Sequence, residues 1–306
     1  MLYNYGSINI DHVYRVSHLV RPGETLSSHG YRQALGGKGA NQSLAVARAG
    51  GKVMHWGRLG QSDRWGLEML ASAGVDTSPI ELTDDASGHA VIQVDDRGEN
   101  AIIIHPGANH GFSDAQHSAL VSSTEAGDWL LLQNECNALD RLMRLATDRG
   151  MRLAFNPAPM TANVLHLPLE QCQLIFLNRG EAEALAGLDE QAEVGTVLDT
   201  LRQRLPDTEI VLTLGSQGVA YQHGAARYRL TAYRVEARDT TAAGDTFIGY
   251  FMAARQRDAN IVTSLRLAST AAALCVQREG AAPSIPVLSE VEDILAQWDE
   301  LDLLEF

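Results

Sequence analysis

Three cysteines, at positions 136, 172 and 275, are too few and too far apart in 306 residues for a disulfide framework or a zinc ribbon. No apolar run approaches the roughly 18 residues of a membrane-spanning helix. The opening MLYNYGSINIDHVYRV lacks both the basic segment and the apolar core of a secretory signal, so a cytoplasmic protein is expected. Positive charge is scarce: 24 Lys and Arg against 38 Asp and Glu leave a formal charge of −14. An acidic surface repels phosphate backbones and anionic lipids, so neither nucleic acid nor a membrane is the expected partner. Two nucleotide-binding signatures are also missing. GxxxxGK[ST] does not occur, and no third glycine completes GxGxxG, which argues against a P-loop enzyme and a dinucleotide dehydrogenase. The spacings of His105, His110 and His117 match no standard zinc motif.

What is present is ordinary globular composition, 45% hydrophobic and 20% charged. A chain of this size buries roughly 75% of its unfolded surface and needs no staples. Short apolar runs at 3–8, 53–57, 90–94, 101–105, 129–133, 152–155, 173–177, 209–214 and 219–222 predict strands. Helical periodicity predicts helices at 40–49, 63–73, 114–123, 138–149, 181–187, 193–205, 243–256, 260–276 and 289–298. This alternation predicts a single α/β domain, a mostly parallel sheet with helices on both faces. Such sheets bind ligands at the carboxyl ends of their strands. Two stretches break the rhythm. Residues 11–32 are polar and mildly β-like, and 88–105 reads as a hairpin turning at Asp96-Arg97-Gly98. Together they predict a small β-lid over the site, with His89 and Ile104 on it; edge strands of the main sheet are the alternative.

The stretch DTTAAGDTFIGYF, 239–251, is the most informative. Phe247, Ile248, Phe251 and Met252 recur at helical spacing, so Ala242, Ala243 and Gly244 fall at the helix start. Side chains this small let a ligand approach backbone N–H groups that carry partial positive charge. Charge developing on a transferring phosphoryl group suits such a hole. Asp245 lies in the same turn, where the helix dipole favours its ionised form. A carboxylate beside a phosphate hole makes sense as a base that takes a proton from an attacking hydroxyl. A plain helix-start acid remains the alternative. GGKGAN at 36–41 is a glycine turn into a helix, and tight packing alone would explain it. Asn9 and Asp11 at a strand exit read as an Asx turn. Glu135, Asn178 with Glu181, and Thr213 to Gly218 read equally as a strand-end acid, a capped helix start and a hairpin turn.

DTTAAGDTF resembles the second signature of the ribokinase-like (PfkB) carbohydrate kinases, and GGKGANQ at 36–42 resembles the first. The two stand about 200 residues apart in the expected order, and the likeness runs from Gly6 to Pro286. GSINIDH at 6–12, LLQNECN at 131–137, HPGANH at 105–110, NRGE at 178–181 and REGAAPSIP at 278–286 extend it. The resemblance implies a ribokinase-like fold with a β-lid. It implies transfer of the ATP γ-phosphoryl group to a primary hydroxyl of a pentose, with ribose the expected acceptor. Deoxyribose, a ketohexose or a nucleoside as acceptor, or a sugar-binding regulator without catalysis, are the alternatives. Asp245 would be the base, and the amides of Ala242, Ala243 and Gly244 the anion hole. Asn9, Asp11, Gly37, Lys38, Asn41 and Glu135 would hold the sugar. Asn178, Thr213, Gly215, Ser216, Gly218, Gly244 and, near the adenine, Ser269 would line the ATP site. Glu181 would organise Mg²⁺, in part through water. Asp239, Thr241, Cys275, Arg278, Gly280 and Ser284 would enclose a monovalent cation, expected to be K⁺, and the lid would pair two copies into a homodimer.

Overall fold

The computed structural model describes residues 1–305. Its strands are β1 Leu2–Tyr5, β2 Asn9–Arg15, β3 Gly30–Gly36, β4 Val53–Trp56, β5 Arg58–Gly60, β6 Glu81–Thr83, β7 Gly88–Val94, β8 Asn100–His105, β9 Trp129–Gln133, β10 Arg152–Asn156, β11 Cys172–Asn178, β12 Glu209–Thr213, β13 Val219–His223, β14 Ala226–Leu230 and β15 Leu303–Glu305. Its helices are α1 Lys38–Arg48, α2 Arg64–Ser72, α3 Asp114–Ser122, α4 Leu139–Asp148, α5 Arg179–Ala186, α6 Val194–Arg204, α7 Ala243–Gln256, α8 Ile261–Cys275 and α9 Leu288–Leu295. None is long and apolar enough to cross a membrane, among the described residues.

The main sheet runs β15-β14-β13-β12-β11-β10-β9-β1-β4. From β4 through β12 every pairing is parallel; β13, β14 and β15 complete one edge antiparallel. Residues in β1 and β9 are buried on both faces, as a parallel strand between two helical layers must be. Their side chains divide by period two. Leu2 and Leu131 enter one core with Phe176 and Phe251, while Tyr3, Leu130 and Leu132 enter the other with Phe155.

A second sheet, β3-β2-β7-β8, stands apart from the first, and β5 pairs with β6 in a third. Its strands refine the segment expected at 11–32. They are 9–15 and 30–36, with an exposed loop between, and the polar residues Asn9, Asp11 and His12 had masked the first. The hairpin 88–105 forms with Gly98 at φ 86° in its turn. The expected strand 3–8 ends at Tyr5. Gly6 lies against the backbone of Gly39, where a Cβ would come within 2.5 Å, and the chain then leaves for the second sheet. β14 and β15 were not expected; the alternating ARYRL and a three-residue edge strand carry almost no apolar run.

Helix α7 spans the predicted 243–256, and α1 begins at Lys38, two residues before the prediction. The two cross closely: a Cβ on Gly249 would lie 2.3 Å from that of Ala45. That crossing brings the N-terminal turns of both helices to one place.

Candidate active site

The first turn of α7 opens on Ala242, whose φ of 60° is left-handed, a conformation that costs an alanine of order 1 kcal/mol. The strain lifts the chain into the helix at the edge of a cleft of about 220 Å³. Lys38, Asn178, Glu181, Thr213, Ala242, Gly244 and Asp245 line it, joined by Asn156, Phe176 and Thr240, for which the sequence had suggested no role. Gly244 is exposed, and a Cβ there would meet nothing within 4 Å, so packing does not require a glycine. One expectation needs correction. The Ala243 N–H is engaged, in a long 3.3 Å bond to the Thr240 carbonyl, so the three amides of this turn are not all open.

Asp245 is half-buried. Asn41 Nδ2 donates to its Oδ2 at 3.1 Å and Gln42 Nε2 to its Oδ1 at 2.9 Å. The sequence suggested that the helix dipole would simply keep it ionised. Burial instead pushes its pKa up, opposed by the Lys38 ammonium and by the Gln42 and Asn41 amides. A carboxylate that is somewhat basic yet held by donors suits proton abstraction near neutral pH. Burial acts to lower the Lys38 pKa, but Asp245, Glu135 and Glu181 outweigh it and the net direction is up. Lys38 therefore stays charged among three carboxylates.

The sugar-side candidates form a chain leading to Asp245. Lys38 N–H donates to Glu135 Oε2 at 3.1 Å, and the Ser7 hydroxyl bonds the same oxygen. Asn9 is buried, with Oδ1 held by Asn109 Nδ2 at 2.8 Å. Asn109, which the sequence reading passed over, also accepts Ile8 N–H. Asp11 lies across Gly36, where a Cβ would sit 2.3 Å from its Oδ2. Burial, then repulsion from Glu135, pushes Asp11 up to about 6 against the pull of Arg32. Gly37 has φ 89° and no room for a Cβ between Asn9 N–H and the Ser7 carbonyl. Ala90, on the face of the small sheet that carries Asn9 and Asp11, is paired with Ile104, while His89 points to the opposite face.

On the nucleotide side, Asn178 and Glu181 form a reciprocal capping box: Asn178 Oδ1 accepts Glu181 N–H and Glu181 Oε2 accepts Asn178 N–H, both at 2.9 Å. Burial raises the Glu181 pKa, with the Asn178 N–H and Lys38 opposing. Thr213 sits at the cleft with its hydroxyl on the Leu177 carbonyl. Gly215 and Ser216 are exposed just beyond it, and Gly218 lets β13 pass the Leu230 carbonyl, where a Cβ would come to 2.0 Å. Ser269, on α8, is not among the residues lining the cleft. The proposed cation segments do meet. Asp239 accepts Thr241 N–H at 2.9 Å and Gly280 N–H at 2.8 Å, and Cys275 Sγ lies 3.0 Å from Ser284 Oγ and 3.7 Å from the Thr241 carbonyl. The Arg278 side chain turns away to Glu290.

Residues 1–288 match the pfkB family carbohydrate kinases. A ribokinase of Haemophilus influenzae is 36% identical, covering 95% of this chain and 96% of its own length. A ribokinase of Cryptococcus neoformans in complex with ADP superimposes with a TM-score of 0.82 at 34% identity over 96% of this chain and 98% of that one. A ribokinase of Arabidopsis thaliana complexed with ribose and ATP gives 0.85 at 27% identity, over 97% and 99%. With both glycine-bearing segments converging on one carboxylate at the end of a parallel sheet, and a family match across nearly the whole length, the chain belongs to the pfkB family of carbohydrate kinases.

Proposed function

We propose that this protein transfers the γ-phosphoryl group of ATP to the primary hydroxyl of ribose, giving ribose 5-phosphate and ADP. The observation that carries the reading is Asp245, aimed into the cleft from the first turn of α7 and flanked by Lys38 and the open space over Gly244. Relatives named ribokinase at 36% and 34% identity support ribose as the acceptor.

The acceptor hydroxyl gives its proton to Asp245 as its oxygen bonds to the γ-phosphorus, and the bond to the β-phosphate oxygen breaks to release ADP. Lys38 and the helix N-terminus face the charge that spreads over the transferring oxygens. Asn9 keeps its amide hydrogens available because Asn109 occupies its oxygen, and Asp11 and Glu135 accept sugar hydroxyls. A site built to pair hydroxyls rejects an analogue lacking one. Asn178, Thr213 and the 215–218 turn border the nucleotide. Ser269 does not line the cleft, and the adenine contact expected there is not part of this reading.

Glu181 suits Mg²⁺: one carboxylate oxygen is spent on the cap and the other is left for the ion or its water, with phosphate oxygens completing the shell. When bound, the ion neutralises phosphate charge. Asp239 ties 239–241 to 278–284, which would gather the carbonyls of Asp239, Thr241, Arg278 and Gly280 for a weakly hydrated cation such as K⁺. Activity indifferent to added K⁺ would remove that part. The small sheet is proposed as a lid that excludes water. Its edge strand β8 exposes Ile102, Ile103 and Ile104 at 51%, 69% and 61%, and such an edge supports pairing with a second copy. Light scattering that finds only monomer at micromolar concentration would refute the dimer.

ADP release measured across ribose, deoxyribose, fructose and nucleosides tests the whole reading. Ribose should give the highest kcat/KM. Preference for another acceptor would move the substrate, and no turnover with any would favour a regulator.

A further inference from the structure

Gln42 stands in the first glycine segment, yet neither sugar nor nucleotide binding uses it. It is wholly buried, and its surroundings are polar. Its Nε2 donates to Asp245 Oδ1 at 2.9 Å, and its Oε1 accepts Gln133 Nε2 at 2.7 Å. Gln133 Nε2 also donates to Asn4 Oδ1 at 2.9 Å. Asn4 Nδ2 in turn donates to the Gly39 carbonyl and to Ser43 Oγ, both at 2.8 Å. Ser43 meets His55 Nδ1 at 2.8 Å, and His55 Nε2 meets the Gly6 carbonyl at 3.1 Å.

An amide side chain can flip, exchanging donor for acceptor. Here a backbone group forbids it. The Gly39 carbonyl can only accept, so Asn4 must turn its NH₂ there and its oxygen toward Gln133. Gln133 must then offer NH₂ to both Asn4 and Gln42, and Gln42 is left with NH₂ toward Asp245. Two carbonyls set the direction of the dipoles that end on the carboxylate: that of Gly39 through Asn4, and that of Phe176 through Asn156, whose Nδ2 donates to it at 3.2 Å and whose Oδ1 accepts Gln42 Nε2 at 3.3 Å. The row also tolerates a fault: Gln133 Oε1 is buried without a partner. An interior serving packing alone would replace these amides with apolar groups.

We propose that Gln42 is a positioning residue for Asp245, held in its donating orientation by Gln133 and Asn4, and that this row fixes the carboxylate rotamer and keeps it ionised until it takes the acceptor's proton. The proposal rests on the assignment of Asp245 as base. Other titratable groups facing Asp245 are Lys38, Glu135, Glu181 and Cys275. His55, at the far end, is pushed down to about 4 by burial and so is neutral at working pH, adding no charge to the row.

The test is the pH dependence of kcat with ribose and ATP saturating, for the full-length enzyme and the shape-conserving variants Gln42→Met and Gln133→Met. Losing a donor to the charged form raises a carboxyl pKa. The acid limb should therefore move up by about one pH unit in Gln42→Met and by a smaller step in the same direction in Gln133→Met. A uniform fall in kcat with the limb unmoved would mean that the glutamines only pack, and would overturn the proposal. If neither variant folds, the unaltered protein decides. The Gln42 side-chain amide protons should exchange slowly and shift as Asp245 titrates; fast exchange, or no shift, overturns it. Asp245→Asn separates the two levels. Retained kcat there would sink the base assignment itself, whereas a lost kcat with an unmoved Gln42→Met limb would sink only the role of the row.

Discussion

Two segments of small residues meet at Asp245, and they are small for opposite reasons. In 36–41 the protein itself occupies the space. A Cβ on Gly36 would strike the Asp11 carboxylate, one on Gly37 the backbone of Ser7 and Asn9, and one on Gly39 the backbone of Gly6 at 2.4 Å. In 242–244 nothing occupies it: a Cβ on Gly244 meets open space. The first segment is a joint that seats α1 on β1. The second leaves a hollow. A glycine motif in a sequence does not say which of these it is; the neighbours do. Where no neighbour fills the gap, a ligand is the natural claimant.

The largest effect should come where the two meet. Asp245→Asn keeps the shape and removes the proposed base, so kcat should fall by roughly 10²–10⁴ while the protein stays folded. Steady-state kinetics beside a melting curve checks both, and a kcat within a fewfold of wild type would break the assignment. The joint and the hollow should then part company. Gly39→Ala forces a methyl against backbone that cannot swing aside, and denaturant unfolding should show a loss of about 3 kcal/mol. Gly244→Ala should leave stability unchanged or raise it by up to about 1 kcal/mol, the usual gain of alanine in a helix. Its cost should fall on catalysis, up to about a hundredfold in kcat/KM for ATP, because displacing reactants by about an ångström can be that expensive. If Gly244→Ala instead unfolded the protein while Gly39→Ala did not, the contrast between the segments would be reversed.

Much of this was legible beforehand because its signals are local. The helix at 243–256 rests on Phe247, Ile248, Phe251 and Met252, whose spacing needs no tertiary knowledge. β9, at 129–133, is a bare apolar run, and the structure keeps it unchanged. The small sheet was only half visible, since Asn9, Asp11 and His12 hold polar groups in strand conformation for reasons set by partners far along the chain. Gln42 and Asn109 were missed as participants on the same ground. Each acts through a hydrogen bond spanning about a hundred residues or more, to Gln133, Asp245 or Asn9, and nothing near them in sequence announces it. The engaged Ala243 amide depends on the left-handed turn at Ala242, which residue identity does not foretell.

The smallest effect concerns Asp11, the acid of the joint rather than of the hollow. Its folded pKa of about 6 lies above the usual carboxylate value, because burial and Glu135 penalise the charge. The sign follows from linkage. The folded state holds this proton more tightly than the unfolded chain, so the contribution of Asp11 to stability is greatest at low pH and declines as pH rises through 4 to 6. At neutral pH the ligand-free enzyme carries a strained carboxylate, and Asp11→Asn should relieve it by on the order of 1–2 kcal/mol. The same variant should raise the KM for ribose, since an amide accepts hydroxyl hydrogens less well than a carboxylate. In the unaltered enzyme, KM for ribose should climb as pH drops below about 6, separately from the acid limb of kcat assigned to Asp245 as the proposed base. A KM flat from pH 7.5 to 5 would detach Asp11 from the sugar and leave it a purely structural acid against Gly36.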